Sequence, residues 1–156
     1  MIIDKRPIRY NFSKYREKIK YIVIHDTANK NKGANALAHY NYFNGGNRSA
    51  SAHYFVDDKN IIETVEIALS AWHCGDGRGR FGITNSNSIG IEICVNEDSD
   101  FEMALAQTRE LIRFLLHAYN LPKSRVVRHF DASRKICPKS LSDNNWELWH
   151  KFFKSI

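Results

Sequence analysis

The sequence has few cysteines and no long apolar run. Its 156 residues include three cysteines, at positions 74, 94 and 137. A sparse, odd-numbered set does not match a disulfide framework and fits synthesis in a reducing compartment. No apolar stretch approaches the roughly 20 residues that a membrane-spanning helix needs, and residues 1–7 lack the apolar core of a secretion signal. We therefore expect a protein made in the cytoplasm without a signal peptide and without stable membrane insertion.

Internal repeats and low-complexity tracts are also absent. The length is that of about one domain, and a hydrophobic content of 43% is normal for a globular protein with a single core. We expect residues 1–156 to form one domain, with a core over about 20–156 and a charged lead-in segment over 1–19.

The charge is unbalanced towards the positive. The chain has 23 Lys and Arg residues against 17 Asp and Glu residues, a formal net charge of +6. Long-range attraction to a polyanion is expected from this sign. The sign alone does not separate nucleic acid, membrane lipid and an anionic cell wall.

Apolar patterns predict strands that alternate with helices. Residues 21–24 are an uninterrupted apolar run, typical of a strand buried on both faces. Residues 101–119 place their apolar side chains on one helical stripe after a capping sequence at 99–102. The pattern predicts an α/β fold with a central mixed β-sheet flanked by helices. Further predicted elements are a helix over 34–42, strands over 51–56, 61–65, 89–95 and 125–129, and a closing helix around 146–153.

Residues 74–88 contain four glycines and no apolar periodicity, which predicts a long surface loop. The loop superficially suggests phosphate or RNA binding, but it lacks the Gly-Lys-Ser/Thr ending of a P-loop. We interpret it as a flexible rim that carries Arg78 and Arg80.

Three residues are candidate metal ligands. His25 and His129 lie at the ends of predicted strands, and Cys137 follows eight residues after His129. Strand ends in α/β sheets line one edge, so the three side chains can converge there. Imidazole and thiolate are common zinc ligands, and three protein ligands with an open position characterise a catalytic site. Because neither His-Glu-x-x-His nor paired Cys-x-x-Cys is present, spacing alone leaves ordinary surface or core roles open.

Glu92 and Lys135 are candidates for catalytic roles. Alternation over 89–95 puts Glu92 on the small second face of its strand, with Gly90 and Cys94, where it should face a cavity. A carboxylate beside a metal can take a proton from activated water, and an ammonium can stabilise charge on a carbonyl oxygen. On pattern alone, an ordinary ion pair for Glu92 and a solvated Lys135 are the preferred interpretations.

Weaker candidates for substrate binding are His53, on the predicted strand over 51–56, and Trp72 and His73, at the start of the glycine-rich loop. More often such residues are simply packed. Cys94 is expected to be a small core residue.

Four motifs occur in a fixed order along the chain. They are Tyr-Ile-Val-Ile-His25, Ser-Ala-His53-Tyr-Phe-Val, Asn87-Ser88-Ile-Gly-Ile-Glu92-Ile, and His129-Phe-Asp131 followed by Lys135-Ile-Cys137-Pro138. With these motifs the chain resembles the zinc-dependent N-acetylmuramoyl-L-alanine amidases of the type 2 amidase family, which includes phage endolysins, bacterial autolysins and animal peptidoglycan recognition proteins. The resemblance covers residues 20–140.

The resemblance implies one zinc ion held by His25, His129 and Cys137. It also implies that Glu92 activates the zinc-bound water and that Lys135 steadies the tetrahedral oxyanion. Where some members carry a tyrosine on the second strand, this chain has His53, whose role stays open. The implied reaction is hydrolysis of the amide between the lactyl group of N-acetylmuramic acid and L-alanine of the stem peptide in peptidoglycan.

The implied partner is peptidoglycan and not nucleic acid. Many endolysins join such a domain to a wall-binding module, and none is visible here. Either a single-domain enzyme or an excised catalytic domain is therefore consistent with the sequence. The absence of a signal peptide favours a phage or prophage lysin that reaches the wall after release, during host lysis. A basic surface would help to hold the protein on an anionic wall, less so at high salt.

Two other classes of protein remain open from the sequence. One is a non-catalytic peptidoglycan-binding protein of the same fold, although a binder has no need of an open metal site or of Glu92. The other is a basic nucleic-acid-binding protein with a structural zinc, which predicts tight, salt-sensitive binding to DNA or RNA.

Overall fold

A computed structural model describes residues 1–156, which form a six-stranded sheet, a separate two-stranded sheet and four helices. The strands are β1 (Asp4–Lys5), β2 (Phe12–Ser13), β3 (Tyr21–Asp26), β4 (Tyr54–Val56), β5 (Ile61–Glu63), β6 (Ser70–Ala71), β7 (Ser88–Ile93) and β8 (Val126–Arg128). The helices are α1 (Ala36–Asn44), α2 (Phe101–Ala118), α3 (His129–Ser133) and α4 (Asp143–Lys154), with a left-handed backbone at Asn144–Trp146 in α4.

The main sheet is mixed and has the strand order β1-β5-β4-β7-β3-β8. Neighbouring strands are parallel except for β4 and β5, which are antiparallel. In the second sheet β2 pairs antiparallel with β6. The predicted fold, a mixed sheet flanked by helices, is confirmed.

One face of the main sheet, called here the core face, is covered by α2 and α4. Alternation along β3 and β7 directs their isoleucines to this face, where they are fully buried against the apolar stripe of α2 and against Trp149 and Phe152 of α4. Burial of each such side chain contributes about 1.5–3 kcal/mol. The core face therefore provides much of the apolar stabilisation. Its isoleucines from β3 and β7 are Ile22, Ile24, Ile89, Ile91 and Ile93.

The opposite face, called here the site face, carries α1, α3 and the glycine-rich loop. Its buried apolar side chains form smaller clusters, one with Ala36 of α1 and another with Ala132 of α3. The parallel register of β3 and β7 places His25 level with Glu92. The same alternation that builds the core face thus sets these two polar side chains side by side.

One region differs from the sequence prediction. The strand predicted over 125–129 ends at Arg128, and His129 begins α3, a five-residue helix that is too short to show apolar periodicity. The position of the lead-in segment over 1–19 was left open by the sequence; in the structure β1 extends the main sheet beside β5, and Ile8 is buried. Strands of two residues carry no alternation that a sequence pattern can detect.

All three cysteines are free and buried. Cys94 is a core residue, as predicted. None of the helices combines the length and the apolar character needed to cross a membrane.

Candidate active site

His25, His129 and Cys137 come together beyond the ends of β3 and β8. Ile24 is level with Arg128 in the parallel register, so the residues that follow each of them, His25 and His129, are neighbours. Their ring centroids are 4.5 Å apart, and His25 Nδ1 is 3.7 Å from Cys137 Sγ. One donor atom from each of the three residues lies within 4.8 Å of the others. The structure therefore assembles the set that the sequence predicted.

The donors of this cluster fit a metal ion. All three side chains are buried, and His129 Nδ1 has no hydrogen-bond partner, an arrangement that is costly unless a ligand uses the lone pair. Burial lowers the pKa of His25 and of His129 below the ordinary histidine value. Both imidazoles are therefore neutral at pH 7, which metal ligation requires. Two nitrogens and one sulfur are donors that suit zinc.

The Cys137 thiol is protonated in this environment. Burial raises its pKa to about 12, and the negative charge of Glu92 acts in the same direction. A divalent cation reverses this balance, because a coordinating thiol loses its proton. Cys137 would therefore have to lose this proton to act as a metal ligand.

Glu92 lies beside the ligand cluster. Its Oε1 is 4.0 Å from His25 Nδ1, and its Oε2 is buried without a hydrogen-bond partner. Burial raises the pKa of Glu92 to about 8, repulsion from Asp26 adds to this shift, and the positive charge of Lys135 opposes it. A carboxyl group with a pKa near neutrality is suited to proton exchange with a reacting group.

A groove of about 690 Å³ opens beside this cluster. Glu92 and Cys137 line it, together with Lys135, whose exposed side chain follows α3. Helix α1 contributes His39 and Tyr42 to the lining. The volume lies within the range of about 300–1,000 Å³ that is common for ligand pockets. One predicted ligand, Cys137, and both catalytic candidates therefore line the same groove.

His53 does not reach this groove. It is fully buried, its Nδ1 accepts a hydrogen bond from Gly90 N–H at 3.0 Å, and its Nε2 lies 3.2 Å from the carbonyl oxygen of Leu69. The backbone thus occupies both ring nitrogens. The expectation of a substrate contact at His53 is corrected: the residue holds strands together.

Trp72 is also separate from the groove. Its indole N–H donates to Ser13 Oγ at 2.8 Å, and its side chain lines another hollow, of about 360 Å³, with Arg78. The lead-in segment pairs with β6 through β2, and this pairing brings Ser13 close to Trp72. Trp72 thus lies apart from this groove, and its role in substrate binding stays a prediction.

His73 lies behind the ligand cluster. Its Nδ1 is 3.0 Å from His25 Nε2, and its Nε2 is 3.1 Å from Ser88 Oγ. Gly90 makes the space for this ring, since a Cβ at Gly90 would lie 2.5 Å from it. His73 therefore contacts a candidate ligand and does not line the groove, and its role in substrate contact stays a prediction.

Asp76 is a site residue that the sequence reasoning missed. His129 Nε2–H donates to Asp76 Oδ1 at 2.8 Å. The neighbouring Gly77 packs so closely on α3 that a Cβ there would lie 2.1 Å from the carbonyl oxygen of Ala132. The loop is therefore packed on α3, which corrects its interpretation as a flexible rim. The sequence did contain one indication of this role, a carboxylate between two glycines, because glycine permits such a close backbone approach.

Comparison with known proteins identifies relatives over most of the chain. A family model described as N-acetylmuramoyl-L-alanine amidase matches residues 15–140. The N-acetylmuramoyl-L-alanine amidase CwlH of Bacillus subtilis (strain 168) is 43% identical over 136 residues, which cover 87% of this chain and 52% of CwlH. The amidase XlyA of the same strain is 41% identical over 136 residues, covering 87% of this chain and 43% of XlyA. The chain spans about half the length of these curated relatives.

Solved structures share the fold along the whole chain. A mutant endolysin from Bacillus subtilis superposes with a TM-score of 0.90 at 39% identity, covering 99% of this chain and 98% of the endolysin. The catalytic domain of XlyA superposes with a TM-score of 0.86 at 36% identity, covering 100% of this chain and 99% of that domain. The fold and the family resemblance predicted from the sequence agree with both comparisons.

Proposed function

The chain belongs to the N-acetylmuramoyl-L-alanine amidase family, and on this premise we propose that it hydrolyses the amide bond between N-acetylmuramic acid and L-alanine in peptidoglycan. The observation that carries the proposal is the buried cluster of His25, His129 and Cys137 beside Glu92 in an open groove. A protein that only binds peptidoglycan has no need of these four groups in one place. Cleavage of this bond would lyse the bacterial cell wall.

The proposed cofactor is one zinc ion held by His25, His129 and Cys137. Neutral imidazoles and a thiolate favour zinc over magnesium or calcium, which prefer oxygen ligands. When bound, zinc acts as a Lewis acid that polarises a carbonyl group and lowers the pKa of water. One thiolate offsets only half of the charge of a divalent ion, so the occupied site remains positive.

Glu92 is the proposed general base and acid. Its unpartnered Oε2 can accept a proton as water adds to the carbonyl carbon of the amide. When the C–N bond breaks, the same carboxyl group returns the proton to the departing amine. The products are the lactyl carboxylic acid and a free amino terminus on L-alanine. A carboxyl group of raised pKa suits both halves of this exchange.

Lys135 is proposed to stabilise the developing negative charge. Its exposed side chain lines the groove, and its positive charge lowers the pKa of Glu92 and of His129. An ammonium group near the substrate carbonyl oxygen would stabilise the tetrahedral state more than the planar amide. The role is electrostatic and requires no proton transfer.

Peptidoglycan is the proposed partner, and we assign no role to nucleic acid. The net charge of +6 favours association with an anionic wall, and salt would weaken that association. We also propose that residues 1–156 act as one catalytic unit at the wall, because all the proposed groups lie in a single fold.

Purified protein incubated with cleaned bacterial walls tests the proposal. New L-alanine amino termini should appear without new reducing sugars, should be lost on chelation and should return with added zinc. New reducing sugars would identify a glycosidase and contradict the assignment. Binding without products, on walls of several chemotypes, would support the binding-only alternative.

A further inference from the structure

We propose that His73 and Asp76 are positioning residues that hold the two ligand histidines in the orientation and tautomer required for zinc binding. Together with the rest of residues 73–88, called here the support loop, they lie outside the groove. This inference rests on the zinc site proposed above. It assigns a role to the glycine-rich segment that the catalytic mechanism leaves unused.

Asp76 acts on His129. The Asp76 carboxylate can only accept a hydrogen bond, so the 2.8 Å contact places the imidazole proton on His129 Nε2. The unpartnered Nδ1 is then left with its lone pair free for a metal. This one contact therefore fixes both the tautomer and the orientation of the His129 ring.

His73 acts on His25 through a neutral relay. Ser88 Oγ donates to the carbonyl oxygen of Thr84, so it accepts from His73 Nε2–H. His73 Nδ1 is then an acceptor for His25 Nε2–H. This leaves the lone pair on His25 Nδ1, the nitrogen that lies 3.7 Å from Cys137 Sγ. With Ser88 Oγ donating to Thr84, this arrangement gives every proton in the relay an acceptor.

The support loop is built to keep both contacts in place. Asn85 Oδ1 accepts hydrogen bonds from the backbone N–H groups of His73 and Cys74, at 3.0 and 2.8 Å. Arg16, from the lead-in segment, donates to the carbonyl oxygens of Asn85 and Ser88. From this framework, His73 and Asp76 extend towards the cluster, and each contacts the Nε2 atom of one ligand histidine. Such outer partners orient metal-binding imidazoles and increase their basicity.

Zinc affinity of the metal-free protein, measured by competition with a chromophoric chelator, tests the inference without relying on hydrolysis. Asp76→Ala should weaken zinc binding by about 10- to 100-fold, the usual effect of losing such a partner. Asp76→Asn should lose less zinc affinity than Asp76→Ala, because its amide oxygen still accepts the His129 hydrogen bond but carries no charge. Glu66→Gln, which removes one exposed carboxylate lining the hollow beside Tyr54 and Phe114, is the matched control and should bind as the wild type does.

A cobalt-substituted protein supplies a second readout. Asp76→Ala should change the visible absorption of bound Co²⁺, because the His129 ring loses its fixed orientation, while the melting temperature of the metal-free protein stays near the wild-type value. His73→Asn and His73→Leu test the contact between His73 and His25. Asparagine can place an acceptor near His25 Nε2 and should retain more affinity than leucine. If the His73 variants fail to fold, the Asp76 variants still test the inference, because Asp76 is half-exposed.

The outcomes separate this inference from the proposed function. If the wild type binds zinc and both Asp76 variants bind it equally tightly with unchanged spectra, the positioning role is wrong and the amidase proposal stands. If the wild type binds no zinc, the metal site itself is wrong and both proposals fall. A graded loss in the order wild type, Asp76→Asn, Asp76→Ala would establish the positioning role.

Discussion

The two faces of the main sheet are made by the same strands but serve different purposes. On the core face, β3 and β7 present five isoleucines, which are fully buried against α2 and α4, and Asp26 follows them at the end of β3. On the site face, the same two strands present His25, Gly90 and Glu92. Because side chains alternate along a strand, β3 and β7 place their stabilising isoleucines on one face and the candidate site residues on the other.

The faces also differ in how well their polar atoms are satisfied. Of the eight buried side-chain nitrogen and oxygen atoms without partners, four lie at the cluster or along the groove, on His129, Glu92, Thr27 and His39. The other four are on Arg16, Asn96 and Ser140. Unsatisfied buried atoms destabilise a fold by about 1–3 kcal/mol each. The apolar packing of the core face can tolerate this cost, and a cation and substrate would relieve it. The comparison predicts that chemistry and stability can be lost independently.

The largest expected effect on hydrolysis is removal of the metal site. His129→Ala removes one of three proposed ligands, and we expect loss of zinc and of amide hydrolysis, to the level of chelated wild-type protein. Zinc content by atomic absorption and release of L-alanine amino termini measure this. His150→Ala, at an exposed histidine of α4, is the control. Full activity of His129→Ala would refute the ligand assignment.

The next largest effect is expected at Glu92. Glu92→Gln keeps the size of the side chain but removes the proton acceptor, so hydrolysis should fall by about 10²- to 10⁴-fold. Wall binding and zinc content should be retained. Glu66→Gln controls for the loss of one carboxylate. An unchanged rate would exclude Glu92 as the base, and equal loss of wall binding would indicate a structural role instead.

A smaller loss is expected at Lys135. Lys135→Met preserves much of the apolar stem and removes the charge, and we expect hydrolysis to fall by about 10²- to 10³-fold, as when one stabilising group is lost. The effect should appear in kcat rather than in KM, because the charge matters most in the transition state. Lys18→Met, at an exposed lysine of the lead-in segment, is the control. A change confined to KM would point to substrate binding.

The core face should show the opposite behaviour, with the smallest effect on hydrolysis. Ile91→Ala should lower the free energy of unfolding by about 2–5 kcal/mol while folded molecules keep near-normal activity and zinc affinity. Urea unfolding and active-site titration with zinc measure the two properties separately. Ile2→Ala, at an 88% exposed isoleucine, should change neither. If Ile91→Ala lowered the activity per folded molecule as much as it lowered stability, the two faces would not have separate roles.

Sequence patterns predicted the elements that carry long periodic signals. The alternation over 89–95 placed Glu92 opposite the isoleucines, and the stripe over 101–119 predicted α2, as the structure shows. Patterns failed where the element was short: α3 has five residues, and β1 and β2 have two each. In such elements, tertiary contacts decide the conformation, since local periodicity is absent.

The sequence by itself singled out His25, His129, Cys137 and Glu92 as candidates, because a histidine at a strand end and a carboxylate among isoleucines are local features. The ordered family motifs then favoured them over the ordinary roles that pattern alone left open. Only the tertiary structure decided which side chains support them. His73 reaches His25 across 48 residues of sequence, and Asp76 reaches His129 across 53. The folded sheet and the close packing of Gly77 and Gly90 create these contacts. The same packing buries His53, because a side chain's partners depend on neighbours that no local pattern specifies.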